Sequence, residues 1–424
     1  MNDIDKLFEF FKLVRRLKLS MRWDSVPGIA ESTAEHSFQM AIMAIFLPDF
    51  FPDLKLDKMK VIKMALLHDV TEAVFSDISQ TKRLQKPEFW EIKKEQEAAA
   101  LSHILSILPD GARREFSELL HEYEERKSIE SKFVKVLDQL ESLPHAGERG
   151  PELAAGFYMP GGLFGIMKQY GSIPEMDFLL RREMLAFKKV ILEKGMQWFP
   201  EWEEKLNTVA DRATPDLDKL FDFFKLIRRL KLSKRYDGAP ILSDSSAEHS
   251  FQMAVMAIFL PDFFPNLKLD KMKVIKMALL HDTDEAVFGD ISHNKRHVNP
   301  DFILIKKEQG AAAIKHIISI LPKDAAREFG DIIHEYEERQ TLESKFVKNL
   351  DLLESVPHIA ERGVELDPCL FRPEGYDTIF KLFGKVPEMD FLLEKMLLET
   401  RDIVKAKGIN CPIDWDGKFA ALKE

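Results

Sequence analysis

The chain repeats itself from end to end at an offset of 213 residues. Segment 34–69 returns as 247–282 with two changes, Ile42 becoming Val255 and Asp53 becoming Asn266. The same offset pairs Asp5 with Asp218, Asp138 with Asp351 and Trp202 with Trp415, so the copies align over nearly their whole length without net insertion. Short solenoid repeats have periods of roughly 20–50 residues and bury a core only by stacking, so a period this long means a duplicated domain. The expected domains are 1–206 and 214–424, on either side of the polar stretch NTVADRATP at 207–215. That stretch is short for a flexible tether, so the halves are expected to pack together.

Each half has about 210 residues, enough to bury a sizeable core without disulfides. The two cysteines, Cys369 and Cys411, both fall in the second copy and form neither a CxxC pair nor a disulfide framework, as expected in a reducing cytosol. A net charge of −10 argues against broad binding to nucleic acid or to an anionic membrane surface. The amino-terminal MNDIDKLFEFF lacks the apolar core of a signal peptide. The longest apolar run, Met40–Leu47, is too short to span a bilayer and stops at Pro48, so a cytoplasmic location is expected.

Apolar residues recur with helical periodicity over about 3–19, 33–47, 57–68, 87–108, 111–126, 129–142 and 174–195, and again 213 residues later. Alternating runs that would mark strands are absent, and Pro and Gly fall between the helical segments. The expected fold class is all-α, with two tandem helical bundles.

Within this helical pattern some polar residues sit on apolar faces. His36, Met40, Met43 and Leu47 form one stripe of the helix at 33–47, so His36 points inward. Val61, Met64, Ala65 and His68 share a face of the next helix, and Asp69 follows at its end. Asp138 interrupts the largely apolar FVKVLDQL. Two imidazoles and two carboxylates directed into one core are unfavourable unless a cation accompanies them. The second copy repeats the set as His249, His281, Asp282 and Asp351. Between 70 and 97, where 12 of 28 positions differ between copies, Glu72/Glu285 and Asp77/Asp290 are unchanged. A mixed His/Asp set without thiolate suits Mn²⁺, Co²⁺, Fe²⁺, Ni²⁺ or Zn²⁺, with Mg²⁺ also possible, and one divalent ion per copy is expected. Four protein ligands would leave open positions in an octahedral shell, as a catalytic site requires.

The pattern His…His-Asp…Asp on helices resembles the HD-domain metal-dependent phosphohydrolases. RRLKLSMRW (15–23), TAEHS (33–37), LLHDVTEAVFSDIS (66–79), KFVKVLDQLE (132–141) and PEMDF (174–178) are similar to the 5′-deoxynucleotidase branch, and the likeness covers nearly all of each copy. It implies removal of the 5′-phosphate from nucleoside monophosphates, a small-molecule substrate, and dependence on a divalent metal, typically Co²⁺ or Mn²⁺. It also implies roles. His36, His68, Asp69 and Asp138, with His249, His281, Asp282 and Asp351, would hold metal. Glu72 and Glu285 would be the catalytic acids, and Arg22 and Arg235 would bind phosphate. Asp77 and Asp290 would bind the sugar hydroxyl. Trp23 would pack on the sugar, a position held in the second copy by Tyr236. Val70-Thr71 becomes Thr283-Asp284, an extra carboxylate beside the second site. Because members of the branch are commonly homodimeric, the tandem copies are expected to form an intramolecular pseudo-dimer about a pseudo-twofold axis. Further oligomerisation stays open.

Three competing readings keep the fold. The substrate could be another phosphate ester, such as a nucleoside triphosphate or a cyclic nucleotide. The chain could be a non-catalytic nucleotide-binding scaffold. It could also be a di-iron oxygenase recruiting His103 and His121, repeated as His316 and His334; His103 is expected to face inward beside Ala99, Ala100 and Ile107. The spacing of 18 residues is short for such a ligand pair. His145 and His358, next to Pro144 and Pro357, read as structural.

Overall fold

The computed structural model describes residues 2–22, 30–149, 167–210, 212, 214–236, 243–292, 295–296, 299–363, 379–408, 414, 417 and 420. The chain divides into two compact units, Met1–Leu220 and Phe221–Glu424. The division falls inside the helix Pro215–Ile227, beyond the polar stretch at 207–215.

The first unit is built from α1 (Asp3–Val14), α2 (Thr33–Phe46), α3 (Lys58–Leu67), α4 (Glu72–Phe75), α5 (Gln80–Gln85), α6 (Glu88–Ile107), α7 (Asp110–Glu125), α8 (Ile129–Arg149), α9 (Asp177–Glu193) and α10 (Pro200–Leu206). Every residue of α2 is buried, which makes it the central helix of the bundle. Its start is fixed by a capping box: the Ser32 hydroxyl accepts from the Glu35 amide, and the Glu35 carboxylate accepts from the Ser32 amide. Its end at Phe46 is set by Pro48, which cannot continue the backbone ladder. Around α2 pack α3 and α8; α3 also meets α7, and α8 meets α9.

The second unit repeats this order. After the helix Pro215–Ile227 come Ser246–Phe259, Lys271–Leu280, Glu285–Phe288, Asp301–Ile320, Lys323–Glu338, Leu342–Gly363 and Asp390–Ala406. Its central helix Ser246–Phe259 is likewise wholly buried and capped by the Ser245/Glu248 box.

Several expectations need adjustment. The helix that carries Asp138 does not stop at 142 but runs through Pro144 to Arg149, because the burial of Leu143 and Ala146 outweighs one lost backbone bond. A two-residue antiparallel pair, Met21–Arg22 with Glu31–Ser32, interrupts the helical pattern; it is too short to leave an alternating signature. Among the described residues, the second copy has a single bridge there, Lys234 with Ser245. Helix α6 buries Ala100 and Ile104 but leaves His103 exposed, so the inward placement of His103 was not met, and His316 is exposed in the same way. His121 and His334 are exposed as well. Among the described residues, no helix is long and apolar enough to cross a membrane.

Candidate metal centre

Three buried elements bring the expected ligands together. His36 enters from α2, His68 and Asp69 from the turn that ends α3, and Asp138 from α8. Ligand atoms of His36, His68 and Asp69 lie within 4.8 Å of one another, as do those of His249, His281 and Asp351. The His36 and His68 rings stand 5.4 Å apart edge to face, and the His249 and His281 rings 5.3 Å apart. Asp138 Oδ1 lies 3.4 Å from His36 Nε2, and Asp69 Oδ2 lies 3.1 Å from His68 Nε2. Asp282 Oδ2 is 3.1 Å from His281 Nε2 in the second copy.

The imidazoles are oriented from behind. His68 Nδ1–H donates to the Ala65 carbonyl at 3.0 Å, and His281 does the same to Ala278. His36 Nδ1–H donates to Glu141 Oε2 at 2.5 Å, and His249 donates to Glu354. Each Nε2 therefore faces into the site and offers a lone pair there once its ring is neutral. None of the four, on His36, His68, His249 and His281, finds a hydrogen-bond partner although all are buried. Unpartnered buried nitrogens cost free energy. Beside ionised carboxylates, they form a donor set that fits a divalent cation.

Charge at the site is polarised. Burial works against ionisation of Asp69, but His68, His36 and Lys93 hold its carboxyl well below the usual range. Asp138 is likewise held low, by Lys135 at 2.5 Å and by His36. Glu72 goes the other way: burial, then Asp69 and Asp77, push its carboxyl up to about 8, so it carries a proton near neutral pH. Glu72 does not sit on a continuation of α3. The chain turns at 68–71, with the Glu72 amide donating to the Asp69 carbonyl at 3.0 Å, and starts α4 there.

Two groups that sequence reasoning missed hold Glu72. The Thr33 hydroxyl donates to its Oε2 at 2.8 Å, and Lys93 Nζ reaches its Oε1 at 3.1 Å and Asp77 Oδ1 at 3.0 Å. Ser246 and Lys306 do the same for Glu285 and Asp290. Lys93 and Lys306 lie in the segment IKKEQ, identical in both copies, so the repeat alone did not single them out. Arg22 is part-buried among carboxylates, 3.3 Å from Glu31 and 3.7 Å from Glu141, and donates to Ser142 at 3.2 Å. Arg235 donates to Ser355 at 3.2 Å and lies 3.6 Å from Glu354. Tyr123 closes one wall, its ring 5.4 Å from that of His68. His145 is buried with Nδ1 3.3 Å from Glu31, a structural position.

The copies differ around this shared centre. Tyr236 has φ +55°, and its ring stacks on His358 at 5.9 Å and lies beside the Arg235 guanidinium. Trp23, Cys369 and Cys411 lie outside the described residues. Asp284 is a relocated carboxylate. Where the first copy has Thr71 and Glu97, with Glu97 3.4 Å from Lys93, the second has Asp284 and Gly310. A Cβ on Gly310 would come within 3.1 Å of Asp284 Oδ2, so the glycine makes room for that carboxylate. Burial and then Asp282 raise the Asp284 carboxyl to about 6.

Residues 14–154 and 227–364 match the HD domain family. The chain belongs to the HD-domain family. It is 37% identical over 145 residues to 5′-deoxynucleotidase HDDC2 of Xenopus laevis, covering 34% of this chain and 68% of that protein. It is 33% identical over 192 residues to 5′-deoxynucleotidase HDDC2 of Dictyostelium discoideum, covering 41% of this chain and 99% of that protein. A solved chain from Magnetospirillum magnetotacticum, described as a predicted metal-dependent phosphohydrolase, shares 22% identity with a TM-score of 0.38, covering 45% of this chain and 97% of that one. The HD-domain match occurs twice along this tandemly duplicated chain, once in each copy.

Proposed function

We propose that each copy of this HD-domain protein is a metal-dependent phosphomonoesterase that removes the 5′-phosphate from nucleoside monophosphates, deoxyribonucleotides foremost. The observation that carries this reading is the pair of buried Nε2 atoms in each copy, without hydrogen-bond partners and beside ionised carboxylates. His36, His68, Asp69 and Asp138 would hold one ion, and His249, His281, Asp282 and Asp351 the other. Mn²⁺ and Co²⁺ are the preferred candidates. A bound divalent ion supplies an activated water and stabilises charge on phosphoryl oxygens.

The chain's own residues divide the remaining work. Arg22 can clamp phosphate oxygens with its planar fork, since the carboxylates around it fix the guanidinium in place. Glu72 holds a proton that the departing 5′-oxygen needs, and Thr33 and Lys93 fix the carboxyl that delivers it. Asp77, tethered by the same lysine, would accept from a sugar hydroxyl. Arg235, Glu285 and Asp290 take these parts in the second copy. The relatives carry the name 5′-deoxynucleotidase, which supports the monophosphate and the deoxyribose.

Phosphate release from matched ribo- and deoxyribonucleoside 5′-monophosphates, under Mn²⁺, Co²⁺ or chelator, tests the proposal. Activity should require metal and favour the deoxy series. Asp69→Ala and Asp282→Ala should each remove one site's turnover, and the double variant all of it. Release of pyrophosphate or triphosphate from triphosphates, with monophosphates inert, would overturn the substrate reading. Full activity in the double variant would overturn the site.

A further inference from the structure

Glu141 and Glu354 are wholly buried carboxylates to which the scheme above gives no part at the metal. An ionised carboxylate in such a place is costly unless it is paired, and a buried ion pair is seldom kept for stability alone. Glu141 follows Asp138 by three residues on α8, so both side chains lie on one face of one helix. Asp138 approaches Nε2 of His36 while Glu141 grips Nδ1 of the same ring at 2.5 Å. Arg22 Nη1 lies 3.7 Å from the same carboxylate.

The two histidines of a site are therefore oriented by different means. His68 leans on a backbone carbonyl, which no side-chain substitution removes. His36 depends on a single side chain. The second copy repeats both arrangements with Ala278 and Glu354. This holds although the neighbouring acidic position changes, Glu31 becoming Asp244.

We infer that Glu141 and Glu354 are positioning residues, each fixing the tautomer and ring orientation of its histidine so that Nε2 faces the metal position. The inference rests on the metal-centre reading above. Outer-shell partners of this kind are worth about 10–100-fold in metal affinity. The duplication supplies an internal control, because a change at Glu141 leaves the Glu354 site untouched.

The test is Mn²⁺ titration of the full chain, with free Mn²⁺ followed by electron paramagnetic resonance and thermal midpoints recorded alongside. Wild type should take up two ions. Glu141→Leu should weaken one site by about 10–100-fold and leave the other unchanged. Glu354→Leu should do the converse. Glu141→Gln fills the same volume and keeps an oxygen that can accept from Nδ1–H, so it should lose less than the leucine variant. Wild-type affinity at both sites in Glu141→Leu would overturn the inference, as would an equal loss at both sites or a lowered midpoint without any change in affinity. If wild type binds no Mn²⁺, Co²⁺ or Zn²⁺, the metal-centre reading itself fails and takes this one with it. Binding by wild type with unchanged variants sinks the positioning role alone.

Discussion

The metal-free site should be loaded with protons, and metal uptake should therefore expel them. Burial and Arg22 both disfavour the His36 imidazolium, yet Glu141 and Asp138 outweigh them and raise its titration to about 9. His249 is shifted in the same direction. Asp69 and Asp138 are already ionised at neutral pH and release nothing. A divalent ion needs the neutral imidazole. One proton should thus leave each site from His36 or His249, and affinity should rise tenfold per pH unit, about 1.4 kcal/mol. From about pH 7 to about pH 9 the gain is about 100-fold, after which the first site levels off. The linkage sign is opposite for the empty protein. A histidine whose folded value lies above its unfolded value of about 6.5 contributes stability that is full below 6.5 and lost as pH rises towards 9. Apo stability should therefore fall over the interval in which metal affinity climbs.

Calorimetric titration with Mn²⁺ in buffers of different ionisation enthalpy counts the protons. Near pH 7, about one per site from the imidazole is expected. Glu72, titrating near 8, adds a fraction when the ion arrives and lowers its value, and Glu72→Gln with Glu285→Gln removes that share. No proton release near pH 7 in the doubly substituted chain, or an affinity flat between pH 7 and 9, would refute the charge balance argued for His36.

Three further outcomes follow from the same geometry. Glu72→Gln in an Asp282→Ala background should lower kcat by about 10²–10⁴-fold with Mn²⁺ affinity retained, as read by initial rates and metal titration. In the same background with the acid intact, kcat should be flat at low pH and fall as Glu72 loses its proton. The metal's charge puts that limb below the metal-free value of about 8. Lys93→Met removes a cation that favours the Glu72 carboxylate, so the limb should move to higher pH and KM should rise as Asp77 loses its tether. Ser32→Ala breaks the capping box of α2 and should cost about 1 kcal/mol, seen in chemical denaturation as a weakened first transition.

What the sequence made legible was whatever repeats locally. His36 lies on a helical stripe with Met40 and Met43, and His68-Asp69 closes another, so periodicity and polarity together exposed these inward polar residues. Glu141 shares the helix and the face of Asp138, yet in LDQLES it reads as one more surface acid; only its contact with a residue 105 positions away gives it meaning. Lys93 was hidden for the same reason, since its ties to Glu72 and Asp77 arise only once α6 folds over α4. His103 misled because α6 has a narrow buried stripe, and apolar neighbours alone do not define an inward face. The duplication separates what the chemistry needs from what the fold tolerates. Thr33 becomes Ser246 and keeps its hydroxyl on the acid, whereas Thr71 and Glu97 become Asp284 and Gly310 and move a negative charge without adding one. Burial, and then the charge of Asp282, hold the relocated carboxylate near 6, so the two sites should differ most in their response to mildly acidic pH. The contrast between Asp69→Ala and Asp282→Ala proteins across that range would measure the difference.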